Sequence, residues 1–520
     1  MSKYFRFVSI VPLLVPMCFI HIKSYSFHLE SVIANDTNRS SQWGLDKINI
    51  NDGWTISTGS NTVKVGIIDS GVDTSHQELS INSTLSKGYI TDYTNPAVDN
   101  IGHGTNVAGI IGAATNNQNG MSGICWNVDL ISLRVVCDAN GNFDNWAIRS
   151  AIIYAKNNGI DILNMSFGDY SSNLLIKNAI SNYSGLIVAS AGNDTRDNDT
   201  NPHYPSGYPY GNIISVGSSD SSDAISNFSN FGQTTVDLFA PGSSIYTTDP
   251  VPSNYKYAHG TSFAAPHVTA VAALIKSTNP SLSAIQIKNI ILNNVDAIPS
   301  MTNKCVSGGR LNAYSSLLAA IPSVTLSSNQ HITPLKNMST NDYQWYKIVV
   351  NSTSNYEFYD NSGVNIQASL YQDIQSNPLI TKTTSSAFGD MSLTHTLLAN
   401  NTYYLKVINL GSGNYDIYAS NHSHNDLHGY IWANGNQHRV YCSCGNSTLE
   451  PHVVTVDDRN TCILCNGHVD LGVIGNNLSP IWNDSFLSEN KIIMLGKNDY
   501  TTFIQSNCNL KIFRQLVEEP

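Results

Sequence analysis

From Ala264 to Ile275 the chain is small or apolar on every side: Ala264, Ala265, Val268, Ala270, Val271, Ala272, Ala273, Leu274 and Ile275. A surface helix shows one apolar stripe, whereas a helix without a polar face must be packed all round. A chain that carries one needs layers of structure on both sides of it, and so a large core. Ser262, within His259-Gly-Thr-Ser-Phe-Ala-Ala-Pro-His-Val268, stands where that helix begins. The first N–H groups of a helix lack intrahelical partners and carry partial positive charge, so an oxyanion formed beside Ser262 meets a ready donor. A serine hydroxyl is a weak nucleophile at neutral pH. Reading Ser262 as a nucleophile therefore requires a base, a group that orients the base, and a second oxyanion donor elsewhere in the chain.

The 520 residues allow two or three domains. Apolar runs without alternation occur at Val63–Ile68, Leu130–Val136, Ile160–Leu163, Leu186–Ala189 and Ile213–Val216. Such runs suit parallel strands buried on both faces. Helical patterns lie between them at Val107–Ala114, Asp144–Asn158 (closed by Gly159) and Leu174–Ile180, so an α/β domain with a largely parallel sheet is predicted. Functional groups in such sheets gather at the carboxyl ends of the strands, where Asp69 stands. His103, in Gly102-His-Gly-Thr-Asn-Val-Ala-Gly109, opens a small-residue helix, and Ala189-Ser-Ala-Gly-Asn193 ends a strand in an amide donor. A lone histidine at a helix start is more often structural than catalytic. Its company with Asp69, Ser262 and Asn193 reverses that reading.

Charged residues make up only 12% of the chain, roughly half the usual share. With 27 Lys plus Arg against 38 Asp plus Glu, the net charge of -11 leaves no basic stripe for a phosphate backbone, and nucleic acid is not expected as a partner. Lys3 and Arg6 precede an apolar run from Val8 to Ile22, followed by Ser24-Tyr-Ser26. This has the form of a secretory signal over residues 1–26, with an uncleaved anchor as the alternative. The run is shorter than the ~20 residues that span a membrane. The mature protein is expected to be secreted, not membrane-spanning, and monomeric. Residues 27–42 read as a short pro-segment or N-terminal arm.

From Trp43 to Ala320 the chain resembles a subtilisin-type serine peptidase. The resemblance rests on Ile67-Ile-Asp-Ser-Gly-Val-Asp73, His103-Gly-Thr-Asn-Val-Ala-Gly109, Ala191-Gly-Asn-Asp194 and Gly260-Thr-Ser-Phe-Ala-Ala-Pro-His-Val268. Lesser agreements follow in order: Asn164-Met-Ser-Phe-Gly168, Tyr204-Pro205, Phe228-Ser-Asn230, Ala240-Pro-Gly242 and Gly309-Arg-Leu-Asn-Ala313. It implies a three-layer peptidase domain over 43–320 that hydrolyses peptide bonds through an acyl-enzyme. It further implies Ser262 as nucleophile, His103 as general base and acid, Asp69 as the residue that orients His103, and Asn193 with the Ser262 N–H as the oxyanion hole. Protein or peptide substrates would lie along Asn140, Gly141 and Asn142 on one side and Ser166, Phe167 and Gly168 on the other. His203 takes the floor of the main specificity pocket, where the family often has a small residue, which implies a shallower or more polar pocket.

Catalysis in this family needs no cofactor. By the same resemblance Glu78 and the Asn117 loop stand where several relatives hold a structural calcium ion; a solvated carboxylate and a loop amide are the alternative. Asn106 replaces the second histidine often found after His103, and Phe263 replaces a common methionine. Neither change touches the proposed chemistry. The 16 residues between the signal and Trp43 are few beside the folding pro-domain of many relatives.

Residues 321–420 turn to short alternating segments such as Tyr346–Val350 and Tyr403–Val407, the pattern of an antiparallel β-sandwich. This part resembles the accessory β domain, the pre-peptidase C-terminal type, carried by many secreted bacterial peptidases. A small Cys-rich module follows over 426–470, where Cys442, Cys444, Cys462 and Cys465 could hold one zinc ion, pair as two disulfides, or stay free thiols. Residues 471–520 form a tail. A non-catalytic binding protein on the same fold, and within enzymes a selective processing peptidase rather than a broad degradative one, are the rival readings.

Overall fold

The structure is a computed structural model that describes residues 31–90, 95, 98–136, 142–326, 330–360, 362, 364–384 and 391–420, with five backbone strands beyond them. The signal segment 1–26, Asn140, Gly141 and the side chains of Cys442, Cys444, Cys462 and Cys465 lie outside the described residues.

The strands of the first sheet are β1 (Gly59–Asp69), β2 (Lys87–Gly88), β3 (Asn127–Arg134), β4 (Ile162–Met165), β5 (Leu186–Ser190), β6 (Ile213–Ser219) and β7 (Leu238–Pro241). A hairpin of β8 (Ile245–Thr248) and β9 (Tyr255–Ala258) stands apart, and β10 (Asp296–Ala297) and β11 (Gly309–Arg310) extend the sheet at one edge. The order is β10-β11-β7-β6-β5-β4-β1-β3-β2, and every pair is parallel except β10 with β11. From β1 the chain builds first toward β3 and β2, then returns to β4 on the other side. The crevice at that reversal opens at the carboxyl ends of β1 and β4, where open α/β sheets place their chemistry.

The five predicted strands all appear. The predicted helices appear as α3 (His103–Gly112), α4 (Asn145–Asn157) and α5 (Leu174–Ser181), after two short N-terminal helices, α1 (Trp43–Lys47) and α2 (Ile50–Gly53). Helix α3 starts four residues ahead of the predicted Val107, because its first turn is polar and carries no apolar period. Helix α4 is capped by Asp144, whose side chain accepts from the Ala147 N–H at 2.7 Å, and Gly159 after it takes φ 61°.

The apolar segment after Ser262 forms α6 (Thr261–Thr278), of which only Ser262 and Lys276 are not buried. It packs beneath β1, β4, β5, β6 and β7 and against α3, so one helix joins the layers. On the far face, α4 and α5 cover the sheet through Ile148, Ile152, Ile176 and Ile180. Residues 31–42 are bonded into this body: Asn38 N–H donates to Gly120 O at 2.7 Å, and Gln42 exchanges two hydrogen bonds with Ser122.

Beyond Ile321, two further sheets face each other across a separate core of Ile348, Phe358, Leu370, Leu393, Leu405 and Val407. One has five strands and the other four, and their pairs are antiparallel apart from Ser323–Leu326 against Tyr343–Val350. Trp345 leaves this unit to join the core around α6, where its Nε1 donates to Thr55 O at 3.3 Å, while Gln344 Nε2 donates to Thr278 O at the end of α6. Strands at 427–434, 437–442 and 447–451 form an antiparallel sheet, and 499–506 pairs with 509–516.

Candidate active site

Three neighbouring strands end at the site. Asp69 is the last residue of β1, Ser166 follows β4, and Asn193 lies three residues past β5. Asp69 is wholly buried and faces His103, the first residue of α3: His103 Nδ1 lies 2.8 Å from Asp69 Oδ1 and 3.0 Å from Oδ2. A carboxylate there keeps the proton on Nδ1 and leaves Nε2 free to accept one. Glycine is required at 104, where a Cβ would strike the Gly71 backbone, so the helix start can approach the end of β1. Burial works against a charge on His103, but the Asp69 charge and hydrogen bond outweigh it and raise the imidazole above its ordinary value.

Ser262 is the second residue of α6, and the ring of Phe263, the residue after it, has its centroid 5.6 Å from the His103 imidazole. Its hydroxyl donates to Ser166 O at 2.9 Å rather than to His103. Unliganded sites often hold such bonds loosely, and a turn about χ1 releases the hydroxyl. Pro266 explains the reverse bond. Lacking an N–H, it leaves the Ser262 carbonyl without its helical donor, and Ser166 Oγ fills the gap at 2.7 Å. Asn164 Nδ2 donates to Ser166 Oγ at 2.9 Å and Asn164 Oδ1 accepts from Thr269 Oγ1 at 2.8 Å, so the Ser262 backbone is tied to β4 through a buried chain of hydrogen bonds.

The Asn193 amide is fixed by its oxygen. Oδ1 accepts from the Thr261 N–H at 2.8 Å and Thr261 Oγ1 at 2.9 Å, which turns the NH2 group toward the open side near Gly260. Among the described residues the Ser262 N–H has no acceptor. Two donors therefore converge beside the hydroxyl, an arrangement suited to a developing oxyanion.

The predicted substrate residues are only partly brought together. Ser166 and Phe167 are buried, Gly168 and Asn142 are exposed, and Phe167 stacks on Phe143 at 4.4 Å. His203 is 5% exposed and lies between Gly168 and Gly192: Cβ atoms added at either glycine would press on its ring. Burial lowers its basicity, against the opposing charges of Asp194 and Asp169. Tyr170 meets it edge to face at 5.3 Å, with its hydroxyl on Asp194 and Arg196 over its ring.

Glu78 is fully buried. Its Oε1 accepts from Tyr255 Oη (2.8 Å) and Asn119 Nδ2 (3.1 Å), while Oε2 has no hydrogen-bond partner among the described residues, and burial raises its carboxyl above the ordinary value. Asp36 lies close by, held by the N–H groups of Asn116 and Asn117. The loop passes through left-handed φ at Asn116, Gln118 and Gly120. Among the described residues no group of three His, Cys, Asp or Glu side chains gathers as a metal site. An orphaned buried carboxylate oxygen beside a second carboxylate is nevertheless a fit for a hard cation completed by carbonyl and amide oxygens.

The sequence reading passed over Thr261, which orients Asn193, and Asp99, which holds the start of α3. Asp99 had a weak local signal, an acidic residue just ahead of a helix start.

A family model for the subtilase family matches residues 60–316. Thermitase from Thermoactinomyces vulgaris is 37% identical over 278 residues, covering 53% of this chain and 95% of that protein. A thermophilic serine proteinase from Bacillus sp. (strain AK1) is 35% identical over 288 residues, 54% of this chain and 69% of the relative. Subtilisin DY from Bacillus licheniformis is 40% identical over 232 residues, 44% and 81%.

Proposed function

The chain belongs to the subtilase family and is a serine-type endopeptidase, and from that premise we propose that Asp69, His103 and Ser262 are its catalytic triad. Subtilases need no catalytic cofactor. The observation that carries the assignment is the two-oxygen contact of Asp69 with His103 Nδ1, beside a serine at the mouth of a buried helix. Ser262 Oγ leaves Ser166 O, passes its proton to His103 Nε2 and attacks the scissile carbonyl. Asp69 holds the reactive tautomer and stabilises the imidazolium. Asn193 Nδ2 and the Ser262 N–H receive the oxyanion, and His103 then protonates the leaving amine. Water repeats the sequence to free the acyl-enzyme.

Substrate runs along Asn140–Asn142 and Ser166–Gly168 through main-chain hydrogen bonds. Its side chain before the scissile bond enters between Gly168 and Gly192, where His203 limits the depth. That favours small or polar residues and selective processing over broad degradation. Calcium bound by Glu78, Asn117 and Asp36 would supply a charge that the buried carboxylates lack, stabilising the fold rather than acting on substrate.

The export signal over 1–26 makes the protein secreted. A relative from Xanthomonas campestris pv. campestris (strain ATCC 33913 / DSM 3586 / NCPPB 528 / LMG 568 / P 25), 31% identical over 337 residues covering 55% of this chain and 57% of that protein, is an "Extracellular protease". No helix among the described residues is long and apolar enough to cross a membrane. The peptidase domain is assigned to 43–320, with 27–42 as its N-terminal arm. Residues 321–420 are assigned as an accessory sandwich of the pre-peptidase C-terminal type.

The test compares the purified protein with Ser262→Ala, using a fluorophosphonate probe and casein. Labelling lost in the variant supports the nucleophile; labelling without casein cleavage supports selectivity. A folded wild type that takes no label refutes the triad.

A further inference from the structure

The residue that caps α3 by position is Gly102, at φ 89°, which has no side chain to satisfy the first N–H groups of the helix. Asp99 satisfies them from outside. Its Oδ1 accepts from the N–H groups of Gly102 (2.8 Å) and Ile101 (3.3 Å), and its Oδ2 accepts from Thr105 N–H (2.9 Å) and Thr105 Oγ1 (2.7 Å). The donors lie on both sides of His103 in the chain, so one carboxylate, 5% exposed, fixes the segment from which the imidazole projects. Thr105 Oγ1 in turn accepts from the Asp73 N–H at 2.9 Å, which ties the same cluster to the turn after β1 and thus to the strand that carries Asp69.

The charge matters as well as the bonds. Among the described residues, the charges that act on His103 are those of Asp69 from β1, Asp99 from the loop before α3 and Lys256 from β9. Lys256 opposes a cation on His103, but it is paired with Asp249 at 2.9 Å. Asp99 favours that cation and, being buried, is little screened. A neutral asparagine keeps one acceptor oxygen for Gly102 and Ile101 but turns an NH2 group toward Thr105, and a serine offers a single oxygen to these four donors. Only a carboxylate also stabilises a positive ring one residue into the helix.

We propose that Asp99 is a positioning residue for proton transfer: it holds His103 in register with Asp69 by closing the first turn of α3, and its charge favours the imidazolium formed as Ser262 is acylated. This rests on the triad assigned above.

The test uses the full chain with Asp99→Asn, which keeps the size and removes the charge, and Asp99→Glu, which keeps the charge. His103 must be neutral to act as base, so activity is lost as pH falls through its pKa. Asp99 raises that pKa, and removing the charge therefore moves the acid limb of kcat/KM to lower pH. For Asp99→Asn the plateau kcat is expected to fall about tenfold with KM held within about twofold. Asp99→Glu should keep the limb where the wild type has it. NMR titration of the His103 ring in a Ser262→Ala background gives the same comparison without needing turnover, and labelling of Ser262 in the wild type reports separately on the triad. Should the Asn variant not fold, Asp99→Ser also removes the charge, and its acid limb and ring titration are read in the same way. A limb and a ring titration that stay in place, with kcat falling only alongside Tm, would reduce Asp99 to a helix cap and overturn the proposal.

Discussion

Asn193→Asp separates the two tasks of the Asn193 side chain. The oxygen of the amide accepts from Thr261 N–H and Oγ1, and Thr261 is completely buried, so the acceptor is structural. The NH2 group is the proposed oxyanion donor. Aspartate keeps the acceptor, removes the donor and adds a negative charge, which the N-terminus of α6 tolerates. Alanine removes both. Loss of a side-chain oxyanion donor costs about 2.7–4 kcal/mol of transition-state stabilisation, roughly 100- to 1000-fold in kcat, a range calibrated on the corresponding asparagine of a subtilisin. Both variants should lose at least that much turnover with little change in KM, and Asp should lose more because its charge opposes the oxyanion. Stability should divide them differently. Orphaning the buried Thr261 donors costs about 1–3 kcal/mol, or roughly 2–10 °C in Tm for a domain of this size, in Asn193→Ala alone. Steady-state kinetics on a peptide anilide and calorimetry read the two effects independently. An Asn193→Asp enzyme within threefold of wild-type kcat would show that the amide is not a donor to the oxyanion.

Opening the pocket floor with His203→Gly should raise kcat/KM for Phe or Tyr before the scissile bond by about tenfold or more relative to Ala, measured on a peptide series. A wild type that already prefers aromatic residues would remove His203 from that role. At about 100 Kd of calcium the wild type should gain roughly 2.7 kcal/mol, about 5–10 °C in Tm, and Glu78→Gln should lose most of that gain. Without metal, the raised Glu78 carboxyl means the folded state holds its proton more tightly than the unfolded one. Stability should then fall as pH rises from the ordinary glutamate value through the raised one, and calcium should suppress that fall. A pH-independent Tm in chelator contradicts it.

The buried strands, the closed α4 and the two-sided burial of α6 were legible in the residues because each depends on local pattern: an unbroken apolar run, Asp144 ahead of a helix and Gly159 behind it, alanines on every face. Asp69, His103, Ser262 and Asn193 stood out as candidates for a related reason, since each sits in a short motif of small residues that lets backbone elements approach closely. What only the tertiary structure decided joins positions far apart in the chain. Ser166 reaches the Ser262 carbonyl that Pro266 leaves free, and Trp345 donates to Thr55 across 290 residues. His203 fills the space between two glycines, and Asp36 comes to stand near Glu78. None of these pairs has a local signature, because a hydrogen bond or a filled gap between distant segments depends on where the sheet order carries them. Asp99 lies between the two cases: it is four residues from His103, yet its role follows from a Gly102 backbone turn that no side-chain pattern records.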